Sequence, residues 1–146
     1  MKILIDADGC PVVKKAISVA KQFNIKCIIV CDTSHIFYDD YAEIVIVSKG
    51  ADSADFAIVN RTEKDDIVIT QDYGLAAMCL SKQAFVINQN GMIYNNDNID
   101  SLLFARYTAK KIRNSGGRLK GPRKRTADND NSFEDNFVKL LKKIYK

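Results

Sequence analysis

Apolar and polar positions alternate along the chain in blocks that change period from strand to helix and back. Ile3-Leu4-Ile5 is a short apolar run that reads as a buried strand, and it ends in the polar turn Asp6-Ala7-Asp8-Gly9. From Pro11 to Phe23 the apolar positions Val12, Val13, Ala16, Ile17, Val19, Ala20 and Phe23 recur near helical spacing. Lys14, Lys15 and Lys21 fall on the other face, and Pro11 sits at the expected first helical position. Ile25 to Cys31 is nearly continuous in apolar residues, as expected of a strand covered on both faces of a parallel sheet. Asp32 to Tyr41 reads as a polar loop.

Further along, the pattern predicts strands at Glu43–Val47, Asp66–Thr70 and Ala84–Ile87, with helices over Asp52–Asn60 and Asp72–Lys82. Asn90-Gly91 reads as a hairpin turn into Met92-Ile93-Tyr94. A longer helix is expected over Asp97–Asn114, with Ile99, Leu102, Leu103, Ala105, Tyr107 and Ile112 inward and Gly116-Gly117 closing it. Arg118 to Asn131 reads as a charged loop. The last expected helix runs from Ser132, as its cap, to Tyr145, with Phe133, Phe137, Leu140, Leu141 and Ile144 forming a stripe that docks on the core. Strands alternating with helices imply βαβ units, hence an α/β, three-layer α/β/α sandwich with a mostly parallel central sheet. The 146 residues make a single domain, an α/β body over 1–95 and a helical C-terminal part over 96–146 with a basic loop at 118–131.

Composition changes this picture in two places. The chain is 47% hydrophobic without any run as long as a membrane span, and Asp6 and Asp8 break the N-terminal apolar run, so neither a membrane segment nor a signal peptide is expected. The expected location is cytoplasmic. Cys10, Cys27, Cys31 and Cys79 are scattered, and there is one histidine, so reduced thiols are expected rather than a zinc site. The net charge of +4 conceals an asymmetry. Residues 1–105 carry nine Lys/Arg against fourteen Asp/Glu, while residues 106–125 carry nine basic residues and no acid. An acidic body with a basic strip invites a phosphate-bearing partner.

The acids concentrate where strands hand over to helices. Asp6 and Asp8 follow the first strand, Asp52 and Asp55 open the helix after the third, and Asp72 follows the fourth. Asp52, Asp72 and Asp8 each also suit a helix cap, the ordinary role of Asp at such positions. Caps do not explain Asp6 at a strand end, nor three acidic segments able to meet at one sheet edge. Clustered carboxylates there need a cation or a proton to offset their repulsion, and an all-oxygen set suits Mg²⁺ or Mn²⁺. Such ions serve phosphodiester hydrolysis by activating water and stabilising the leaving oxygen. Asp6, Asp8, Asp52, Asp55 and Asp72 are the candidate catalytic residues, with Asp6, Asp52, Asp55 and Asp72 as metal ligands.

The motifs Asp6-Ala7-Asp8-Gly9-Cys10-Pro11, Gly50-Ala51-Asp52-Ser53-Ala54-Asp55, Ile69-Thr70-Gln71-Asp72-Tyr73-Gly74-Leu75-Ala76 and Gly121-Pro122-Arg123 resemble the bacterial YaiI/YqxD family. The resemblance covers nearly the whole chain. It implies a PIN-like domain, a class with many Mg²⁺- or Mn²⁺-dependent ribonucleases. By motif, Asp6 would match the first acid of that class, Asp52 or Asp55 the acid on the middle helix, and Asp72 the acid of the T-x-D segment.

The basic strip supplies candidate phosphate contacts. Arg118, Lys120, Arg123, Lys124 and Arg125 lie in the late loop, Lys49 precedes the acidic helix, and Arg106, Lys110, Lys111 and Arg113 lie on the long helix. Gly121-Pro122 sets a turn that would aim Arg123 at the acidic site and a scissile phosphate. Tyr73 and Tyr107 are either base-stacking or packing residues. The leading expectation is a metal-dependent nuclease acting on nucleic acid, RNA before DNA. Two alternatives stand beside it. One is a non-catalytic RNA-binding module of the same fold. The other is a phosphatase, because Asp6-Ala7-Asp8-Gly9 also resembles the D-x-D-G start of haloacid-dehalogenase-type enzymes, with Asp6 as nucleophile. Cys10 stands where that class has Thr, there is little room for a cap domain, and Asp52 and Asp55 have no part in that reading.

Overall fold

In the computed structural model, which describes residues 1–50, 52–117 and 124–145, the central strands are those with the most continuous apolar sequence. The sheet has six strands: β1 (Lys2–Asp6), β2 (Lys26–Asp32), β3 (Glu43–Val47), β4 (Ile67–Ile69), β5 (Phe85–Ile87) and β6 (Ile93–Tyr94). Their order is β3-β2-β1-β4-β5-β6. The first five are parallel, and β6 returns antiparallel to β5 after the Asn90-Gly91 turn. The chain builds outward from β1 to β2 and β3, then crosses back to place β4 on the other side of β1. The gap between β1 and β4 is therefore the point where strand order reverses.

Alternation along the strands sorts the core into two layers. Ile3 and Ile5 of β1 face α1 (Val13–Gln22) and α5 (Ala127–Ile144). Leu4, Ile28, Val30, Val68 and Val86 face α2 (Ser53–Arg61), α3 (Tyr73–Ser81) and α4 (Asn96–Asn114). This is the expected three-layer sandwich. The stripe on α5 docks as expected: Phe133, Phe137 and Leu141 are fully buried beside α1, and the two phenylalanine rings lie 5.3 Å apart. Each such ring contributes roughly 2–3 kcal/mol by leaving water. A Lys15–Glu134 ion pair at 3.1 Å joins the same two helices at their rim. Cys27, Cys31 and Cys79 are buried free thiols, and Cys10 is half-buried and free. Among the described residues no helix is long and apolar enough to cross a membrane.

Four local expectations are corrected. Helix α1 begins at Val13, with Pro11 in the preceding turn and neither Asp8 nor any other side chain capping it. Ser132 lies inside α5, which starts at Ala127. Thr126 and Asn129 form a reciprocal capping box there, a stronger start signal than a lone serine. Residues 127–131 are thus helix rather than loop, and Arg118 to Arg123 lie outside the described residues. Finally, α4 buries only its first turns. Ala105, Tyr107 and Ile112, expected inward, are exposed, because the helix outruns the body it packs on after Leu103.

A candidate acidic site at the carboxyl edge of the sheet

The strand-order reversal creates a crevice at the carboxyl ends of β1 and β4, the usual place for a ligand in an open α/β sheet. A cleft of about 480 Å³ opens there, lined by Asp6, Asp8, Asp52, Asp55 and Asp72 together with Ala54, Gln71, Tyr73 and Arg106. All five aspartates singled out in the sequence are in it.

Local geometry explains how each is held. Asp6 is the last residue of β1, and its Oδ2 accepts a hydrogen bond from the Thr70 hydroxyl at 2.8 Å. The same hydroxyl oxygen accepts the Asp72 backbone N–H at 3.0 Å, so one buried threonine joins both strand ends. Gln71 Nε2 donates to the Gly9 carbonyl at 2.6 Å and ties the two βα turns together. Gly9 has φ +71°, a left-handed conformation that lets the chain turn directly after the two acids. Tyr94, buried under the site, donates its hydroxyl to the Thr70 carbonyl at 3.3 Å and receives Tyr73 edge-on at a centroid distance of 6.0 Å. Tyr73 is thus a packing residue that also lines the cleft.

Two of the acids expected as caps differ in role. Asp72 does cap α3: its Oδ1 accepts from the Gly74 and Leu75 N–H groups at 2.8 and 3.1 Å. Its Oδ2 takes no hydrogen bond among the described residues, while Oδ1 serves the cap and also faces Arg106. Asp52 occupies the cap position of α2 with φ +66° and makes no capping bond, which leaves its carboxylate to the cleft. Left-handed backbone is costly for most residues with a Cβ and is best tolerated by Asp and Asn. Asp55 follows in the first turn of α2, near the favourable end of the helix dipole.

The electrostatics are those of carboxylates short of a counter-charge. Burial pushes the Asp6 carboxyl up to about 6, and Asp55, Asp8 and Asp72 push the same way against the Thr70 hydrogen bond. Asp55 is raised by burial first and then by Asp72 and Asp52, with Arg106 opposing. The cation in the cleft is Arg106 of α4, whose Nη1 stands 3.5 Å from Asp72 Oδ1. An all-carboxylate oxygen set under mutual repulsion fits a hard divalent cation by donor chemistry and charge. Among the described residues, however, no three His, Cys, Asp or Glu side chains converge to hold one ion.

The expected phosphate contacts are dispersed. Lys49 is exposed on the β3–α2 connection and does not line the cleft. Asp32 ends β2 and is held low chiefly by its hydrogen bonds from Ser34. Lys124 is exposed. Arg125 is engaged in a clamp: Nε donates to Asp130 Oδ1 at 2.7 Å, Nη1 to Asn90 Oδ1 at 2.5 Å and Nη2 to the Gln89 carbonyl at 2.6 Å. It fastens the start of α5 to the β5–β6 turn. Arg118, Lys120 and Arg123 lie outside the described residues, and with them the Gly121-Pro122 turn. The sequence placed Arg106 in the basic strip but not in the acidic site; only the packing of α4 on α3 brings it there.

The arrangement defines an α/β protein with a polar, carboxylate-lined cleft at its switch point. The chain belongs to the YaiI/YqxD family: the family described as "Uncharacterized BCR, YaiI/YqxD family" matches residues 4–143. A UPF0178 protein of Clostridium acetobutylicum is 48% identical over 143 residues, covering 97% of each chain. A second, from Exiguobacterium sibiricum, is 50% identical over 141 residues, covering 97% of this chain and 96% of its own. A third, from Clostridium tetani, is 47% identical across the full length of both. No solved structure matches the chain.

Proposed function

We propose that the protein is a divalent-metal-dependent nuclease of PIN-like type, with RNA favoured over DNA. The observation that carries this reading is the gathering of five carboxylates and one guanidinium in a cleft at the β1/β4 switch point. Asp6, Asp52, Asp55 and Asp72 would hold Mg²⁺ or Mn²⁺. Such an ion lowers the pKa of an attacking water and offsets charge on the scissile phosphate and the leaving oxygen.

The chain's own residues do the rest. The Thr70 hydroxyl fixes Asp6 and the β4–α3 turn in one register. Gln71 holds the β1–α1 turn, and with it Asp8, against the same edge. Arg106 offers a guanidinium to a phosphate oxygen at the cleft, where planar two-point donation suits phosphate. An Asp6 nucleophile of phosphatase type leaves Asp52 and Asp55 with nothing to do. The non-catalytic RNA-binding module is favoured by one observation, that no three acids converge among the described residues.

The test is incubation of the purified protein with end-labelled single-stranded RNA and DNA in Mn²⁺, Mg²⁺ or EDTA. A small phosphate ester serves as a parallel substrate. Cleavage of RNA in either metal and none in EDTA supports the nuclease. Salt-sensitive RNA binding without cleavage in any metal transfers the protein to the binding-module reading.

A further inference from the structure

Helix α4 changes character halfway along. Ile99, Leu102 and Leu103 pack its first half on the body. At the following positions of the same face stand Arg106, Lys110 and Arg113, spaced four and three apart. No acid occurs on the helix after Asp100. On a different flank of the helix, the one that carries Lys111, Phe104 is 70% and Tyr107 62% exposed, with no partner among the described residues. Lys110 and Lys111 stand three and four residues after Tyr107, one turn further along the helix from its ring. The stripe starts at Arg106, in the acidic cleft itself.

Two large exposed aromatics one helical turn apart need an occupant that is flat, apolar on its faces and anionic. A second copy of this chain is apolar but brings the same cations, and a symmetric contact along this stretch sets like charges against each other. A duplex is anionic but keeps its bases stacked inside. A single nucleic-acid strand supplies both base faces and phosphates. We infer that the outer half of α4 is a docking rail for single-stranded nucleic acid, with Tyr107 and Phe104 stacking on bases, Lys111 on their flank holding the backbone and Lys110 leading it round towards the cleft at Arg106. This rests on the nucleic-acid reading of the cleft and names the form of its substrate as single-stranded.

The experiment measures binding separately from cleavage. Fluorescence anisotropy in EDTA compares a labelled single-stranded RNA oligonucleotide with the same sequence as duplex, for the wild type, Phe104→Ala/Tyr107→Ala and Lys110→Ala/Lys111→Ala. The aromatic double variant is expected to bind the single strand about tenfold or more weakly, with an unchanged salt slope and unchanged duplex binding. The lysine variant is expected to lower the single-strand salt slope by about 1.4. Both face solvent, so thermal melts should match the wild type. Equal single-strand affinity in the aromatic variant overturns the rail. So does a wild-type dimer that the aromatic variant dissociates without any loss of RNA affinity. Metal-dependent cleavage that survives both variants at full rate removes the rail and leaves the nuclease standing. A working rail with no cleavage does the reverse.

Discussion

The Thr70 hydroxyl donates to Asp6 Oδ2 at 2.8 Å across the point where the strand order reverses. Because it also accepts the Asp72 N–H at 3.0 Å, Thr70 couples the acid of β1 to the acid that caps α3. The relationship makes a neutral residue responsible for the spacing of two charged ones. Thr70→Val keeps the shape and removes the hydroxyl. It leaves Asp6 without its donor and a backbone N–H without an acceptor, at a site where Thr70 is buried. The expected cost is about 1–3 kcal/mol in urea unfolding. The Asp6 carboxyl, which that bond holds down, should titrate higher by NMR.

Asp6 itself makes stability depend on pH. Burial and its acidic neighbours raise its pKa from 3.8 to about 6, so the folded protein keeps a proton that the unfolded chain gives up. That contribution is fully present below pH 3.8 and is lost as pH rises through 6. In metal-free buffer, Asp6→Asn should therefore be more stable than the wild type at pH 7.5, by up to roughly 3 kcal/mol. Asn retains an acceptor for Thr70. Denaturant curves at pH 7.5 and pH 4 check this, and the advantage should shrink towards zero at the lower pH.

Arg125 is expected to matter for folding rather than for phosphate. Its guanidinium is engaged by Asp130, Asn90 and the Gln89 carbonyl, which together bind α5 to the β5–β6 turn. Arg125→Ala should lower stability by about 1–3 kcal/mol in chemical denaturation. The salt dependence of RNA binding should stay as in the wild type. Undiminished stability with a shallower salt slope would return Arg125 to the phosphate-binding set.

Asp66 supplies a control far from the cleft. It is buried and accepts from the Lys2 N–H at 3.0 Å, Lys2 Nζ at 2.6 Å and the Glu63 N–H at 2.8 Å. Asp66→Ala leaves Lys2 Nζ only the exposed Glu63 carboxylate at 3.8 Å, takes the acceptor from the Lys2 and Glu63 N–H groups, and should cost about 1–3 kcal/mol in thermal or urea unfolding. Turnover per folded molecule should not change.

The elements of the sheet are readable because its inner strands are apolar on both faces and because α2 and α3 are short helices that start at Asp52 and Asp72. The acidic cleft was readable too, since Asp6, Asp52, Asp55 and Asp72 all stand at strand-to-helix junctions. Other parts were hidden for identifiable reasons. Periodicity cannot tell where a helix leaves the body, so Tyr107 and Ile112 looked like a continuation of the Ile99–Leu103 stripe. The start of α5 was masked by its polar first turn, although Thr126 with Asn129 carries the capping signal. Thr70 carries no sequence signal as a site residue, and Arg106 reads as part of the basic strip and not of the acidic cleft, because both roles depend on tertiary packing. A T-x-D segment marks the turn, but not which carboxylate the threonine hydroxyl reaches.

The most direct test compares metal-dependent RNA cleavage by the wild type with Asp6→Asn and Asp72→Asn, alongside RNA binding in EDTA. Asn at position 72 is still a good helix cap, so folding should be preserved. Cleavage in Mn²⁺ or Mg²⁺ by the wild type, lost by at least two orders of magnitude (~100-fold) in both variants while binding is kept, is the predicted result. Cleavage that persists in either variant at the wild-type rate would contradict the assignment of the cleft as the catalytic site.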